Sequence, residues 1–126
     1  MRIGEAFANL HPASPRHLWF FVAGPDRDGS MVAFNFTSAK DGCDQTCVVQ
    51  AGEHPFVAHQ TVVAYRRGRL FSTKAYAAIK SLGCYEPWAD LSAGLLLRIQ
   101  QGAIASPGTT TKLKTMVRQS LGIQSA

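Results

Sequence analysis

The sequence predicts an α+β domain: a small antiparallel β-barrel over residues 4–70, followed by a helical part over residues 71–126. Three observations carry this. Up to Tyr65, short β-prone runs alternate with turn signals about every ten residues, the spacing of a small barrel or sandwich. After Arg69 the apolar period changes from two to that of a helix. The chain has 126 residues, 46% of them hydrophobic and 17% charged, the size and balance of one globular domain, residues 1–126, that buries a core without disulfide staples.

Gly4-Glu5-Ala6-Phe7 begins a short strand, and the prolines in His11-Pro12-Ala13-Ser14-Pro15 make the next segment a loop. Leu18–Ala23 is a continuous apolar run of strand length, typical of a strand covered on both faces. Gly24-Pro25-Asp26-Arg27-Asp28-Gly29 is a turn, and Met31–Thr37 resumes as a strand with Val32, Phe34 and Phe36 on one face. These two runs form a β-hairpin. Cys47–Gln50 and Thr61–Tyr65 are two further runs, both rich in Val and the second closed by Tyr, on either side of a loop that carries His54, Pro55, Phe56 and His59.

In the second part, Ser72-Thr73 offers an N-cap to a helix through Leu82, which Gly83 closes. Asp90 or Ser92 caps a second helix with Leu91, Leu95 and Ile99 as its stripe, stopped by Gly102. Ser106-Pro107 opens a third, whose apolar stripe is Leu113, Met116, Val117 and Leu121. Its outer face carries Lys112, Lys114 and Arg118, read first as a solvated surface. Trp88 falls in a loop and is the aromatic most open to solvent.

Thirteen basic residues against eight acidic ones give a net charge of +5. Residues 70–126 carry +4 of it, with six Lys/Arg against two Asp/Glu. Such an excess permits nucleic-acid binding without demanding it. No run approaches the ~18 apolar residues of a membrane span, and no apolar stretch of signal-peptide length follows the first residues. The expected location is cytoplasmic, with no membrane partner. Three cysteines do not make a secreted disulfide framework.

The unusual chemistry is concentrated between Cys47 and Arg69, where imidazoles and guanidiniums crowd together: His54, His59, Arg66, Arg67 and Arg69. That combination suits a phosphate. Cleavage of RNA by its own 2′-hydroxyl needs a base, an acid and a cation on the phosphate; His17, His54 and His59 with Arg16, Arg66 or Arg67 supply all three. The bland alternative is a His54-Pro55-Phe56 turn whose imidazole bonds backbone groups. Cys43, Cys47, His54 and His59 have the ligand types of a structural zinc site, but not the spacing of a zinc finger. Trp19, Phe20, Phe21, Phe34 and Phe36 are read as core aromatics, with base stacking second.

The β part resembles the MazF/PemK-like growth-inhibitor toxins, over roughly residues 4–70. The matching pieces are Gly4-Glu5-Ala6-Phe7, Arg16-His17 before the long apolar strand, Phe36-Thr37-Ser38, and Gln60-Thr61-Val62-Val63-Ala64-Tyr65-Arg66-Arg67. His17 stands where that family has Pro, and neither Gly-Glu-His-Pro-Phe nor the helical tail belongs to its pattern. The resemblance implies an SH3-like barrel and metal-independent RNA cleavage without a cofactor. It also implies a protein antitoxin as regulator. Residue by residue it nominates Arg16 for the charge on the phosphorane, and Thr37 with Ser38 for positioning the phosphate.

Two readings stand at this point. One is a toxin-like RNA-binding endoribonuclease, with RNA and an antitoxin as partners and a homodimer as a further expectation. Its catalytic candidates are Arg16, Thr37, Ser38, His54 and His59, and its RNA-binding candidates are His17, Arg66 and Arg67. The other is a non-catalytic SH3-like interaction module from a mobile element, with a zinc-stabilised variant of it third.

Overall fold

A computed structural model describes residues 1–13 and 16–122; Ser14 and Pro15 of the expected proline loop lie outside them. Among the described residues seven strands and three helices follow one another: Ala6–Asn9 (β1), Leu18–Ala23 (β2), Met31–Ser38 (β3), Val48–Val49 (β4), Thr61–Val63 (β5), Arg69–Phe71 (β6), Thr73–Ser81 (α1), Tyr85–Trp88 (β7), Ala93–Ala105 (α2) and Thr111–Ser120 (α3). The fold is α+β, and every strand pairing is antiparallel.

The strands run in the order β4-β5-β3-β2-β1-β7, with β6 also on β3. This pairing leaves β4 and β7 at opposite ends of an open sheet. The longest strand, β3, organises it. One edge takes β2, with Trp19 opposite Asn35 and Phe20 opposite Phe34. The other edge takes β6 along Met31–Ala33 and β5 along Phe36–Ser38. Between β5 and β6 the chain makes a single 3₁₀ turn, Tyr65–Arg67.

Helices cover both faces of the sheet, which is why Leu18–Ala23 is apolar throughout and buried at every position. On one face Phe20, Val22, Val32, Phe34 and Phe36 meet Leu95 and Ile99 of α2 and Leu113 and Val117 of α3. On the other, Phe7, Trp19, Phe21, Met31 and Phe71 pack with Tyr76 and Ile79 of α1. Val32, Phe34 and Phe36 are buried together in one cluster with Leu18, Phe20 and Val63, as the period-two pattern requires.

The helix starts follow their capping chemistry. Ser72, Ser92 and Thr110 each accept a hydrogen bond from the backbone N–H three residues on. Several expectations change. Gly102 does not stop α2, which runs to Ala105. A Cβ on Gly102 would lie 2.1 Å from the Tyr65 hydroxyl, so the glycine serves close packing within the helix. Ser106-Pro107 does not open α3; Ser106 ends α2, and Thr110 caps α3. The Cys47–Gln50 run contracts to Val48–Val49.

The second part is also not purely helical. Trp88 lies on strand β7, half-buried, because Tyr85–Trp88 pairs with the whole of β1. Beside that pairing, the nearly buried Glu5 carboxylate accepts from the hydroxyls of Tyr76 at 2.5 Å and Tyr85 at 2.6 Å. Burial works against its charge. The two tyrosine bonds and the Arg2 amide outweigh that and hold the carboxyl below its ordinary value. Burial and the same Glu5 contact push the Tyr85 hydroxyl upward.

Candidate nucleic-acid interface

Each candidate side chain is placed by the register of β3. Trp19 pairs with Asn35, and carrying that register outward by two residues sets His17 beside Thr37. His17 Nδ1 lies 3.1 Å from the Phe36 carbonyl, and Nε2 lies 3.3 Å from the Arg67 guanidinium. A guanidinium only donates, so Nε2 accepts and Nδ1 carries the proton to the carbonyl. The ring is thus fixed from both sides while remaining half-exposed.

Across β3 from β2, Ser38 pairs with Thr61 of β5. The residues just before β5 therefore run alongside the end of β3, and His59 Nε2 comes to 3.0 Å from Ser38 Oγ, at the surface. This hydroxyl–imidazole pair has the geometry of proton transfer.

Arg16 precedes β2, with its guanidinium 5.4 Å from the Phe56 ring and 5.7 Å from the Trp88 ring. Phe56 and Trp88 meet edge to face at 5.0 Å, so the cation rests on an aromatic corner. Glu86 pairs with Arg16 at 2.5 Å and accepts from the Trp88 indole at 2.7 Å. Those two bonds, the indole's first, hold the Glu86 carboxyl below its usual value. Arg16 is therefore a positioned cation that carries a carboxylate partner.

Three clefts meet around these residues. The first, about 340 Å³, is lined by Arg16, His17, Thr37, Ser38, Lys40 and His59 among others. A second, about 410 Å³, has Thr37, Asp44, Arg66, Arg67 and Gly108 in its wall. A third, about 280 Å³, is formed by Asn9, His17, Trp19, Asn35, Arg67, Arg69 and Phe71. Thr37 is shared by the first two, Arg67 by the last two, and His17 by the first and third. One continuous surface thus carries Arg16, Lys40, Arg66, Arg67 and Arg69. Two carboxylates accompany these cations, Glu86 beside Arg16 and Asp44 beside Arg66. Burial opposes charge on Asp44, but bonds from Ser106 and Thr46 hold its carboxyl below the ordinary value.

Five sequence candidates come together in one cleft: Arg16, His17, Thr37, Ser38 and His59. Arg66 and Arg67 line the adjoining one. His54 does not join them. It is 2% exposed, its Nδ1 accepts from the Phe56 amide at 3.0 Å, and its Nε2 lies 2.6 Å from the Ala89 carbonyl. Both ring nitrogens are occupied in joining the loop to the segment before α2. That is the turn geometry its His-Pro-Phe sequence permits, and it takes His54 out of the acid–base set.

The zinc combination does not assemble either. Cys47 is buried against the Tyr65 side of the core, with its thiol pushed up by burial, while His54 and His59 are turned to different partners. No group of three or more His, Cys, Asp or Glu residues is placed to hold a metal ion among the described residues.

Sequence reasoning passed over Lys40, Asn35, Glu86 and the Trp19–Arg69 pair. Asn35 had a readable signal: an amide that continues the apolar face of Met31 and Ala33 within a buried strand. Glu86 had none, because its place beside Arg16 depends on β7 crossing to β1. No protein-family model and no curated protein matches the chain.

Proposed function

We propose that this is a toxin-like RNA-binding protein that cleaves single-stranded RNA without a metal, on the surface where the clefts meet. The observation that carries the reading is the assembly of Arg16, His17, Thr37, Ser38, Lys40 and His59 around one cleft, from three separate segments of the chain. Those groups are the ones that attack by a 2′-hydroxyl on its neighbouring phosphate requires. His59 Nε2 takes the 2′-hydroxyl proton as the new O–P bond forms. Arg16, Lys40 and the hydroxyls of Thr37 and Ser38 hold the non-bridging oxygens as charge builds on them. The 5′-oxygen leaves with a proton from His17 Nε2, which that nitrogen takes up from water once the Arg67 guanidinium has turned from it to the phosphate. The products are a 2′,3′-cyclic phosphate and a 5′-hydroxyl.

On this reading the run of β5, the 3₁₀ turn and β6 along β3 corresponds to part of the SH3-like barrel of the MazF/PemK-like toxins. A protein antitoxin that covers the basic surface is the regulator such an activity calls for, and the cytoplasm is where its RNA would be met. One observation favours the second reading, a non-catalytic interaction module: Glu86 already neutralises Arg16. An RNA phosphate would have to displace it.

The two readings part in one assay. Labelled single-stranded RNA is incubated with wild type and Arg16→Ala in the presence of chelator, over a range of pH, and the product ends are identified. The nuclease reading expects cyclic-phosphate ends from wild type and a rate lower by ~10²–10³ in the variant, the usual cost of one charge-stabilising donor. Equal and negligible cleavage by both, with binding that merely weakens as salt rises, leaves the interaction module standing.

A further inference from the structure

We infer that the third cleft, between Trp19, Asn35, Arg67 and Arg69, is a pocket for one nucleobase of the bound RNA, stacked on Arg69 and read by the Asn35 amide. This rests on the reading of the surrounding face as an RNA interface. Asn35 lines the cleft, yet the residue is 1% exposed and its Oδ1 is buried without a hydrogen-bond partner. Buried polar atoms are paired in the great majority of cases, so an orphan carbonyl beside a cleft calls for a partner, which a ligand seated in the cleft supplies. The χ2 torsion of Asn is broad, and a modest turn about it presents Oδ1 to an incoming N–H donor.

The wall supplies the stacking surface. The Arg69 guanidinium lies 4.8 Å from the Trp19 ring and 5.8 Å from the Phe71 ring. One face of that plane is taken by the tryptophan, and Arg69 is itself exposed, so the opposite face is open to a base. The cleft, about 280 Å³, is large against the ~30 Å³ share of a water molecule. It shares His17 and Arg67 with the neighbouring clefts, so a base seated here belongs to a nucleotide adjoining the phosphate at His17. Arg69 then contributes affinity for any base, and Asn35 contributes preference among bases.

The test uses fluorescein-labelled 2′-O-methyl RNA heptamers, which lack the attacking hydroxyl, with the central base varied among the four and the salt held fixed. Binding is read by anisotropy. Wild type is expected to rank the four bases unequally. Arg69→Ala is expected to weaken all four by about tenfold, the scale of one lost stacking partner. Arg69→Lys should weaken them as much, because it keeps the charge and loses the plane. Asn35→Asp keeps an acceptor and removes the donor. It should therefore shift the ranking toward guanine, whose N1–H and N2–H are adjacent donors.

A wild type that binds all four equally overturns the inference, and so does full rescue by Lys at position 69. An unchanged ranking in a folded Asn35→Asp protein overturns it too; if that variant does not fold, the Arg69 pair decides. Each of these results leaves RNA binding itself intact. Failure of wild type to bind any heptamer removes both the pocket and the function proposed above.

Discussion

The first six residues of β3 and its last two obey different constraints. From Met31 to Phe36 the strand is buried at every position, between α1 on one face and α2 with α3 on the other. At Thr37 and Ser38 the helical cover ends, exposure rises, and the side chains face a cleft lined with cations and imidazoles. The same strand is thus a core element over its first six residues, with Asn35 also reaching a cleft, and lines the candidate site with its last two. The histidines of the β4–β5 loop repeat the division. His54 is enclosed and bonded at both nitrogens, whereas the His59 ring, five residues on, is exposed and bonded at one nitrogen, to Ser38, among the described residues. Rigidity at one end is what lets chemistry stand in a defined place at the other.

If that division is right, substitutions at the two ends should separate stability from activity. The largest effect falls on the core end. Phe34→Ala deletes a ring buried against Tyr65 at 5.1 Å and is expected to cost ~3–5 kcal/mol in denaturant unfolding. A cost under ~1 kcal/mol would mean that the buried part of β3 is not the anchor described.

The histidine pair sharpens the contrast. His54→Ala leaves the Phe56 amide and the Ala89 carbonyl without their partner and should lower stability by ~1–3 kcal/mol, as read by urea midpoint. His59→Ala should change stability by no more than ~0.5 kcal/mol, as befits an exposed position. In the RNA assay it should lower the cleavage rate by ~10²–10⁴. The reverse pattern would exchange the roles assigned to the two rings.

The smallest expected effect concerns pH. Because the folded-state pKa of Glu5 lies below its unfolded value, its stabilising contribution is present above the unfolded value of ~4.3. That contribution fades as pH falls through the folded pKa. Thermal melts from pH 6 downward should show wild type losing more stability on the acid side than Glu5→Gln. Other carboxylates such as Asp44 cancel in this comparison. Parallel curves would show that the tyrosine pair does not favour the charged form.

The apolar run Leu18–Ala23, the Val32/Phe34/Phe36 face, the Ser72 and Ser92 caps and the Leu113/Met116/Val117 stripe are local facts of the sequence, and so the hairpin and the three helices were legible in it. Burial period and capping act within a few residues and need no distant partner. Arg16, His17, Thr37 and Ser38 were legible for a related reason: one hairpin register carries both ends to the same place. What the tertiary structure alone decided is long-range. Strand β7 forms because β1 offers an unpaired edge, although Glu86-Pro87-Trp88 reads locally as a loop. Gly102, a stop signal by its type, stays helical because Tyr65, from a distant turn, occupies the space a side chain would need. His54 and His59 have the same side-chain chemistry and lie in one loop; the Ala89 carbonyl beside the first and Ser38 beside the second place one in the scaffold and the other at the candidate site.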